Sequence, residues 1–596
     1  MCGIFGYTGQ PINAADLVFS GLKTLEYRGY DSWGIAVGAG NQLYTARDTG
    51  KLGLVPTGLP DSGLAIGHTR WATTGAVTVA NAHPQHDCAG RFALVHNGVI
   101  ENYLLLREQL RRQGHSFVSD TDSEVAAHML EEEFNLLGGS CDASLAEALR
   151  RVSLKLEGLN ALAALDATSG QMAATKNGSP LIVGLGSGAN YLASDQAALL
   201  GHTDRLLFVR DGETVALWPD RVAVYSNDTG AQIPLAIEEV HWRPDQASLN
   251  GYRHFLEKEI WEQPQLLRQI ATTGMAQAAT LARFIAGARK LYFVGCGTAY
   301  HAALMGSYLL AAEAGRSAIA AYPHEFATFA PLLEPGDALI ALSQSGETID
   351  VLEAVRDARA RGVSVGTLTN VPGSTLTREA DFNLMLGAGP EKSVLSTKTF
   401  TAKLAYLLLA TGALAGEPMR HETTLLSAAD EIDVLRQDDN GMPAAIKEVA
   451  VYMTGYRHMF VLGRGLGYPL ALEAALKIKE ISYLHTEGFA AGELKHGVIA
   501  LIEEGTPVIL FVPEGTTDKA RMLTAAGEVK ARGAHVIGIS PENHPLFDMH
   551  LPVGGSGPAF YLAATVTAQR LAYELALVRG TDPDKPRNLA KSVTVR

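Results

Sequence analysis

The sequence predicts a multidomain α/β protein: a strand-rich, layered N-terminal part followed by two doubly wound parallel-sheet domains. Three observations carry this. Short strands bounded by turn residues crowd the chain up to about residue 240. Beyond that point, a unit of apolar strand, glycine turn and amphipathic helix recurs at an offset of roughly 170 residues. The length of 596 residues suits about four domains, fewer if some are large.

The elements follow in order. Ile4, Phe5 and Tyr7 alternate with glycines directly after Met1-Cys2-Gly3, the pattern of a buried first strand that holds the terminus inside the fold. Gly34–Val37, Leu64–Gly67, Phe92–Val95 and Leu181–Gly184 read as further strands, and residues 122–137 as an intervening helix. Residues 240–248 have no period and carry Pro244, so a linker is expected there. The repeat then pairs Phe293-Val294-Gly295-Cys296-Gly297 with Phe460-Val461-Leu462-Gly463-Arg464-Gly465. It pairs Asp337–Leu342 with Thr506–Phe511, and Ala360–Val365 with Ala531–Val536. Doubly wound sheets of this kind bind ligands outside the carboxyl ends of their strands.

Composition narrows the function classes. A formal charge of −14 argues against a nucleic-acid surface, which needs a basic stripe. Four scattered cysteines, Cys2, Cys88, Cys141 and Cys296, make no disulfide framework. No CxxC pair, HExxH or EF-hand loop occurs, so neither a metal nor any other cofactor is expected. No basic leader with an apolar stretch is present, and no apolar run is long enough to span a bilayer. A cytoplasmic setting with no membrane partner is the expectation.

Several clusters carry chemistry. Removal of Met1 would place a thiol and a free α-amine on Cys2. That amine, with a reference pKa of about 7.7–8.0, can relay a proton from its own thiol. Arg70 and Asp122 suit the carboxylate and amine of an amino acid. Asn97 and the Gly98 N–H suit an oxyanion hole for thiolate attack on an amide. Ser343-Gln344-Ser345-Gly346-Glu347-Thr348 follows a buried strand and opens a helix, a pocket for phosphate. A capped polar turn is the alternative. The second copy has Pro513-Glu514-Gly515-Thr516-Thr517 there, with the serines gone and a glutamate in their place, so the phosphate turn is expected in the first copy. Thr298 and the run Val394–Thr399, with Ser396, also fall at strand ends or helix starts. On the helix expected over 468–484, Glu473, Lys477 and Glu480 share one face. A solvent-side Glu–Lys pair is one reading. A nearly all-round apolar circumference favours burial and acid–base work instead. His496 suits a proton shuttle.

Together these residues, with Glu26-Tyr27-Arg28-Gly29-Tyr30-Asp31-Ser32, His68–Gly75, Ser119–Asp122 and the tail Pro586–Thr594, resemble the glutamine–fructose-6-phosphate aminotransferases (isomerizing), the glucosamine-6-phosphate synthases. The resemblance covers almost the whole chain. It implies an N-terminal-nucleophile (Ntn) αββα glutaminase over residues 1–240, then a linker and helices over 241–280. A first sugar isomerase (SIS) domain binding the phosphosugar follows over 281–425, and a linker helix over 426–451. A second SIS domain with the acid–base residues spans 452–586, and a tail over 587–596 closes the sugar site.

It also implies roles. Cys2 attacks the glutamine amide, with Arg70, Trp71, Thr73, Asn97, Gly98 and Asp122 around the substrate and Trp71 as channel gate. Ser343, Gln344, Ser345 and Thr348 hold phosphate, with Thr298, Val394, Ser396, Glu473, Lys477 and Ala590 lining the sugar. His496 opens the ring, Lys591 forms a Schiff base, and Glu480 moves a proton between C1 and C2. The implied substrates are glutamine and fructose 6-phosphate, the implied assembly a homodimer and the implied reaction the first step of amino-sugar supply. Thr74, Trp33, Ala299 and Ser393–Ser396 depart from the family pattern. They leave open a paralogue acting on another ketose phosphate, or an SIS protein that binds sugar phosphate without synthesis.

Overall fold

The structure, a computed structural model, describes residues 2–138, 144–239, 248–437, 441–515 and 517–591. All of the expected linker except Ser248, together with Cys141, Thr516 and the tail past Lys591, lies outside the described residues. The chain divides into two compact units. One holds the residues up to Ser248, with Glu347–Ile349 and Ala590 onward; the other holds Leu249–Gly346 and Asp350–Leu589.

The first unit is built on two antiparallel sheets. The larger runs Ile237–Glu239, Arg205–Phe208, Ile182–Leu185, Asn190–Ala193, Gly3–Ile12, Ser62–Arg70, Ser32–Ala39, Gln42–Thr49. The smaller runs Gln232–Ile233, Val222–Ser226, Glu213–Leu217, Gln171–Asn177, Asn160–Asp166, Phe92–Gly98, Gln85–His86. Ile4, Ile66, Val95, Ala163 and Met172 form the apolar layer between the sheets. Helix Ala14–Leu25 covers the outer face of the larger sheet through Val18 and Leu22. Helices Ser123–Leu136 and Ser144–Ser153 cover the smaller one through Val125, Leu130 and Leu149. The result is the expected αββα layering. The first strand is buried from Gly3 to Thr8 and pairs on both sides, with Ser62–Arg70 and with Asn190–Ala193. Residues adjoining Cys2 are therefore fixed by two ladders.

The second unit contains two five-stranded parallel sheets with the same order. Each has its second strand at one edge, then the first, third, fourth and fifth. The first sheet runs Ile319–Ala321, Leu291–Val294, Ala338–Leu342, Ser364–Thr369, Phe382–Met385. The second runs His485–Ala490, His458–Gly463, Pro507–Phe511, His535–Ser540, Met549–Pro552. The central strands Ala338–Leu342 and Pro507–Phe511 are buried at every position, as parallel strands covered by helices on both faces require. Helices Lys398–Leu414 and Pro558–Val578 are buried nearly all round and join one apolar core that takes residues from both sheets. Among the described residues, no helix is long and apolar enough to cross a membrane.

Candidate active site

In the first unit, the site grows from the ends of three strands. Cys2 precedes the first strand, Arg70 and Trp71 end the strand beside it, and Asn97 and Gly98 end a strand of the facing sheet. Cys2 Sγ accepts the Trp71 N–H at 3.2 Å. The carbonyl of Cys2 accepts from Arg28 Nε at 3.2 Å and from Asn97 Nδ2 at 3.0 Å. Arg28 is itself tied to Asp195, 3.2 Å away, which also accepts the Tyr27 hydroxyl at 2.7 Å and the Ala197 N–H at 2.9 Å. Burial pushes the Cys2 thiol up. The chain's amino terminus, the Trp71 N–H, Arg70 and Arg28 oppose that push. The site thus supplies positive potential where a thiolate must form, but burial prevails and a base is still needed.

His68 sets the direction of Asn97. Its Nε2 lies 2.9 Å from the His96 carbonyl and 3.1 Å from Asn97 Oδ1. With that oxygen engaged, the amide turns its NH2 toward Cys2. His68 also stacks on His83, with ring centroids 4.2 Å apart, and His83 Nδ1 accepts the His96 N–H at 3.2 Å. His96 is bracketed by Ser123 Oγ and Asn160 Oδ1, each at 2.8 Å. Burial holds all three rings neutral. It depresses His68 to about 3, His83 well below the ordinary histidine value, and His96 below it too. Gly98 has φ +135°, and a Cβ there would meet the Leu159 carbonyl oxygen at 2.0 Å, so this strand end requires glycine.

The other expected residues of this unit fall around the same point. Arg70 is buried and donates through its two terminal nitrogens to the carbonyls of Thr74, Gly75 and Ala76, which folds that loop over it. Cys2, Asp122 and Asp31 all act on its charge. Asp122 stands just before helix Ser123–Leu136 and accepts the Ile100 N–H at 2.8 Å. Trp71 is half-buried and packs edge-on against Tyr30, 5.5 Å between centroids; Thr73 is exposed. Trp33 is a core residue, set edge-on against Phe19.

In the second unit, strand Ala338–Leu342 runs into the serine turn. Ser343 Oγ accepts the Gly346 N–H at 3.0 Å, and the Gln344 carbonyl accepts from Asn370. Gly346 has φ +67°, and a Cβ there would sit 2.1 Å from Ser374 Oγ. Gln344, Ser345 and Thr348 are half-buried. Helix Ile349–Ala360 follows, whose first N–H groups lack intrahelical partners. Val394 donates its N–H to the Asp584 carbonyl at 3.3 Å, and Ser396 Oγ pairs with Thr399 Oγ1 at 2.6 Å.

Helix Gly467–Ser482 carries the buried charges. Glu473 and Lys477 are essentially inaccessible. Lys477 Nζ lies 2.6 Å from Glu480 Oε2 and 3.6 Å from Glu473 Oε1. Thr298 Oγ1 donates to Glu473 Oε1 at 3.1 Å, and His301 Nδ1 lies 2.7 Å from Glu473 Oε2. Burial pushes Glu473 up, but Lys477, His301 and Thr298 prevail and hold it below the ordinary carboxylate range. Burial pushes Lys477 down, but the Glu480 and Glu473 charges prevail and hold it above the ordinary range. Glu473 and Lys477 are therefore a charged pair, and Glu480 is the more exposed end of the trio.

The structure does not gather everything expected there. His496 ends a single 3₁₀ turn and is exposed, and its ring makes no hydrogen bond or ion pair among the described residues. Ala590 and Lys591 belong to the first unit and are half-buried. Two residues were missed. His301 lies three positions past Thr298 on helix Thr298–Ala314, a spacing that already placed both on one face. Glu391 accepts the Thr397 and Thr399 N–H groups at the start of helix Lys398–Leu414 and adds to the field on Lys477. Nothing local in the sequence marked it.

Fold and site define a glutamine amidotransferase joined to paired sugar isomerase modules. The family description "Glutamine amidotransferase domain" matches residues 68–201, and "SIS domain" matches 284–412 and 452–546. The chain is 41% identical to the glutamine--fructose-6-phosphate aminotransferase [isomerizing] of Thermococcus kodakarensis and 43% identical to that of Aeropyrum pernix, with all of each chain covered. The solved C-terminal domain of glucosamine-fructose-6-phosphate aminotransferase from Francisella tularensis aligns at 30% identity and a TM-score of 0.53, over 57% of this chain and all of that one. The chain belongs to the glutamine--fructose-6-phosphate aminotransferase [isomerizing] family.

Proposed function

We propose that this protein converts glutamine and fructose 6-phosphate to glutamate and glucosamine 6-phosphate. The observation that carries the reading is the setting of Cys2: a thiol receiving the Trp71 N–H, with the Asn97 amide turned toward it, in a chain that also carries a buried acid–base trio. After loss of Met1, the α-amine takes the thiol proton and the thiolate attacks the amide carbon. Asn97 and the Gly98 N–H receive the oxyanion, ammonia leaves, and water releases glutamate from the thioester. Ser343, Gln344, Ser345 and Thr348 hold the sugar phosphate. Lys591 forms an imine with the C2 ketone and water leaves. Ammonia adds at C2 and displaces the lysine amine, leaving a C2 imine. Glu480, 2.6 Å from Lys477 Nζ, then takes a proton from C1 and returns it to C2.

On this reading residues 1–240 form the ammonia-releasing domain, 281–425 and 452–586 the two SIS domains, and 587–596 the closing tail. The exposure of His496 supports a homodimer in which it opens the sugar ring in the partner's pocket. Reduced thiols suit a cytoplasmic setting. The full-length identity to synthases favours fructose 6-phosphate over another ketose phosphate or a binding-only role.

The test supplies glutamine with fructose 6-phosphate and scores glutamate and amino-sugar release together. Wild-type protein should yield both in equal amounts, and Cys2→Ala should yield neither while still binding the sugar phosphate. Glutamine-dependent synthesis by Cys2→Ala at the wild-type rate refutes the nucleophile; release of glutamate without amino sugar refutes the ketose.

A further inference from the structure

The first unit holds a second cluster that the proposed reaction does not use. Cys88 lies in the turn before strand Phe92–Gly98, His115 follows helix Tyr103–Arg112, and His128 and Glu131 lie one turn apart on helix Ser123–Leu136. Their ligand-capable atoms all lie within 4.8 Å of one another. Cys88 Sγ is 3.5 Å from His115 Nδ1 and 3.6 Å from His128 Nδ1. Glu131 Oε2 is 3.3 Å from His115 Nδ1 and 3.8 Å from His128 Nδ1. A tetrahedral zinc ion bound at about 2.0–2.1 Å to nitrogen and oxygen and about 2.3 Å to sulfur has ligand–ligand edges of roughly 3.3–3.6 Å. Of the six edges of such a tetrahedron, three of the four given above fall in that range and the fourth is 0.2 Å beyond it, while Cys88–Glu131 and His115–His128 lie within 4.8 Å.

The surroundings are those of a prepared site. Both histidines turn Nδ1 inward and Nε2 toward a carboxylate. His115 Nε2 meets Glu132 Oε1 at 2.9 Å, which places its proton outward and its lone pair on the inner nitrogen. His128 Nε2, buried and without a hydrogen-bond partner among the described residues, faces Glu124 Oε1 at 3.7 Å, so only the carboxylate at His115 is hydrogen-bonded to its ring. Glu124 is fixed in turn by the N–H groups of Val118 and Ser119 and by the Ser119 hydroxyl, each at 2.8 Å. Outer carboxylates of this kind orient metal-binding histidines and raise their basicity. Glu131 Oε2 is steadied by the Cys88 N–H at 3.2 Å, and Phe117 packs edge-on against His128, 4.6 Å between centroids. The side chains of His115 and His128 are 6% and 2% exposed, so protein supplies most of the shell.

We propose that Cys88, His115, His128 and Glu131 bind one structural zinc ion, which ties the turn before the Asn97–Gly98 strand to the helix that starts after Asp122. Four protein donors leave no open position, so the ion braces the glutamine side of the fold and takes no part in the chemistry. Linear spacing gave no sign of it, because the donors come from three separate segments and form no paired motif.

The test uses the full chain, made without a metal-affinity tag and supplied with zinc. Elemental analysis after desalting should find about one zinc per chain in wild type and in Cys296→Ser, and less than about a tenth in Cys88→Ser. Cys296 is the control because its half-buried thiol, pushed up to about 12, belongs to the other unit. Cobalt-loaded wild type should show a thiolate charge-transfer band that Cys88→Ser lacks. His128→Gln should weaken zinc at least about 100-fold in competition with a coloured chelator. If that buried change prevents folding, the exposed Cys88 carries the test alone. Wild type that binds no zinc, or Cys88→Ser that retains it at wild-type affinity, overturns the site.

Discussion

The two units bury their ionisable groups differently. Around Cys2 the buried histidines are kept neutral beside the charged Arg28 and Arg70: His68 stacks on His83, and His83 and His96 are hydrogen-bonded as uncharged rings. On helix Gly467–Ser482 the interior is kept charged, with Lys477 between two glutamates and His301 beyond. On the proposed mechanism, the difference follows from the work each site does. Thiolate attack on an amide needs rigid, oriented dipoles around one sulfur. Enolisation of a sugar needs carboxylates whose proton affinity a fixed cation can set. The sharpest way to break this contrast is to remove that cation. Lys477→Met removes the cation that does most to hold Glu473 ionised in the interior, and losing one member of a buried pair costs about 3–5 kcal/mol. Urea unfolding read by a probe in the second unit should show that loss. A change below about 1 kcal/mol, the worth of an exposed pair, would mean that the network is solvated.

Acid should separate the units next. A histidine depressed by burial contributes stability that is complete above its unfolded value of 6.5 and is lost as pH falls toward its folded value. For His68, with its folded value at about 3, the loss begins near 6.5 and reaches about 3 kcal/mol after two pH units. Glu473 is a carboxylate held below the ordinary glutamate value of 4.5, so its contribution is present above that pH and fades only beneath it. Limited proteolysis at pH 5 should therefore cut between Ser62 and Gly98 while leaving Gly467–Ser482 protected. Cleavage in the reverse order would show that the histidines are solvated in the native state.

Much of this was legible in the sequence where the signal is local. The duplicated sheets appeared because strand, glycine turn and helix repeat at a fixed offset, and both copies adopt one strand order. The buried face of Glu473, Lys477 and Glu480 appeared because Leu470, Ile478 and Ile481 surround it. What stayed hidden are contacts between distant segments. His301 meets Glu473 across 172 positions, and His68 reaches Asn97 across 29. Arg70, expected to hold the substrate's carboxylate, also folds the Thr74–Ala76 loop, a role no periodicity encodes. Trp33 stood out as a departure from the family pattern, yet its surroundings are hydrophobic core.

The smallest effect tests the same contrast inside the second unit, where one sheet keeps a hydroxyl-lined turn and its copy has lost it. Gly346 and Gly515 occupy matching turns with φ +67° and +65°. A Cβ costs roughly 1–2 kcal/mol in that backbone region at either position, so this strain cancels between them. The surroundings do not cancel. At Gly346 the new carbon meets Ser374 Oγ at 2.1 Å and Ser374 Cβ at 2.6 Å, next to the Leu376 N–H that binds the Gly346 carbonyl at 3.0 Å. At Gly515 nothing lies within 4 Å. Gly346→Ala must displace the serine turn, and KM for fructose 6-phosphate should rise about tenfold, roughly 1.4 kcal/mol. Gly515→Ala should leave KM within about twofold, since 0.4 kcal/mol or less is then lost at the sugar site. Equal shifts in the two variants would mean that the phosphate is held elsewhere than at the turn after Leu342.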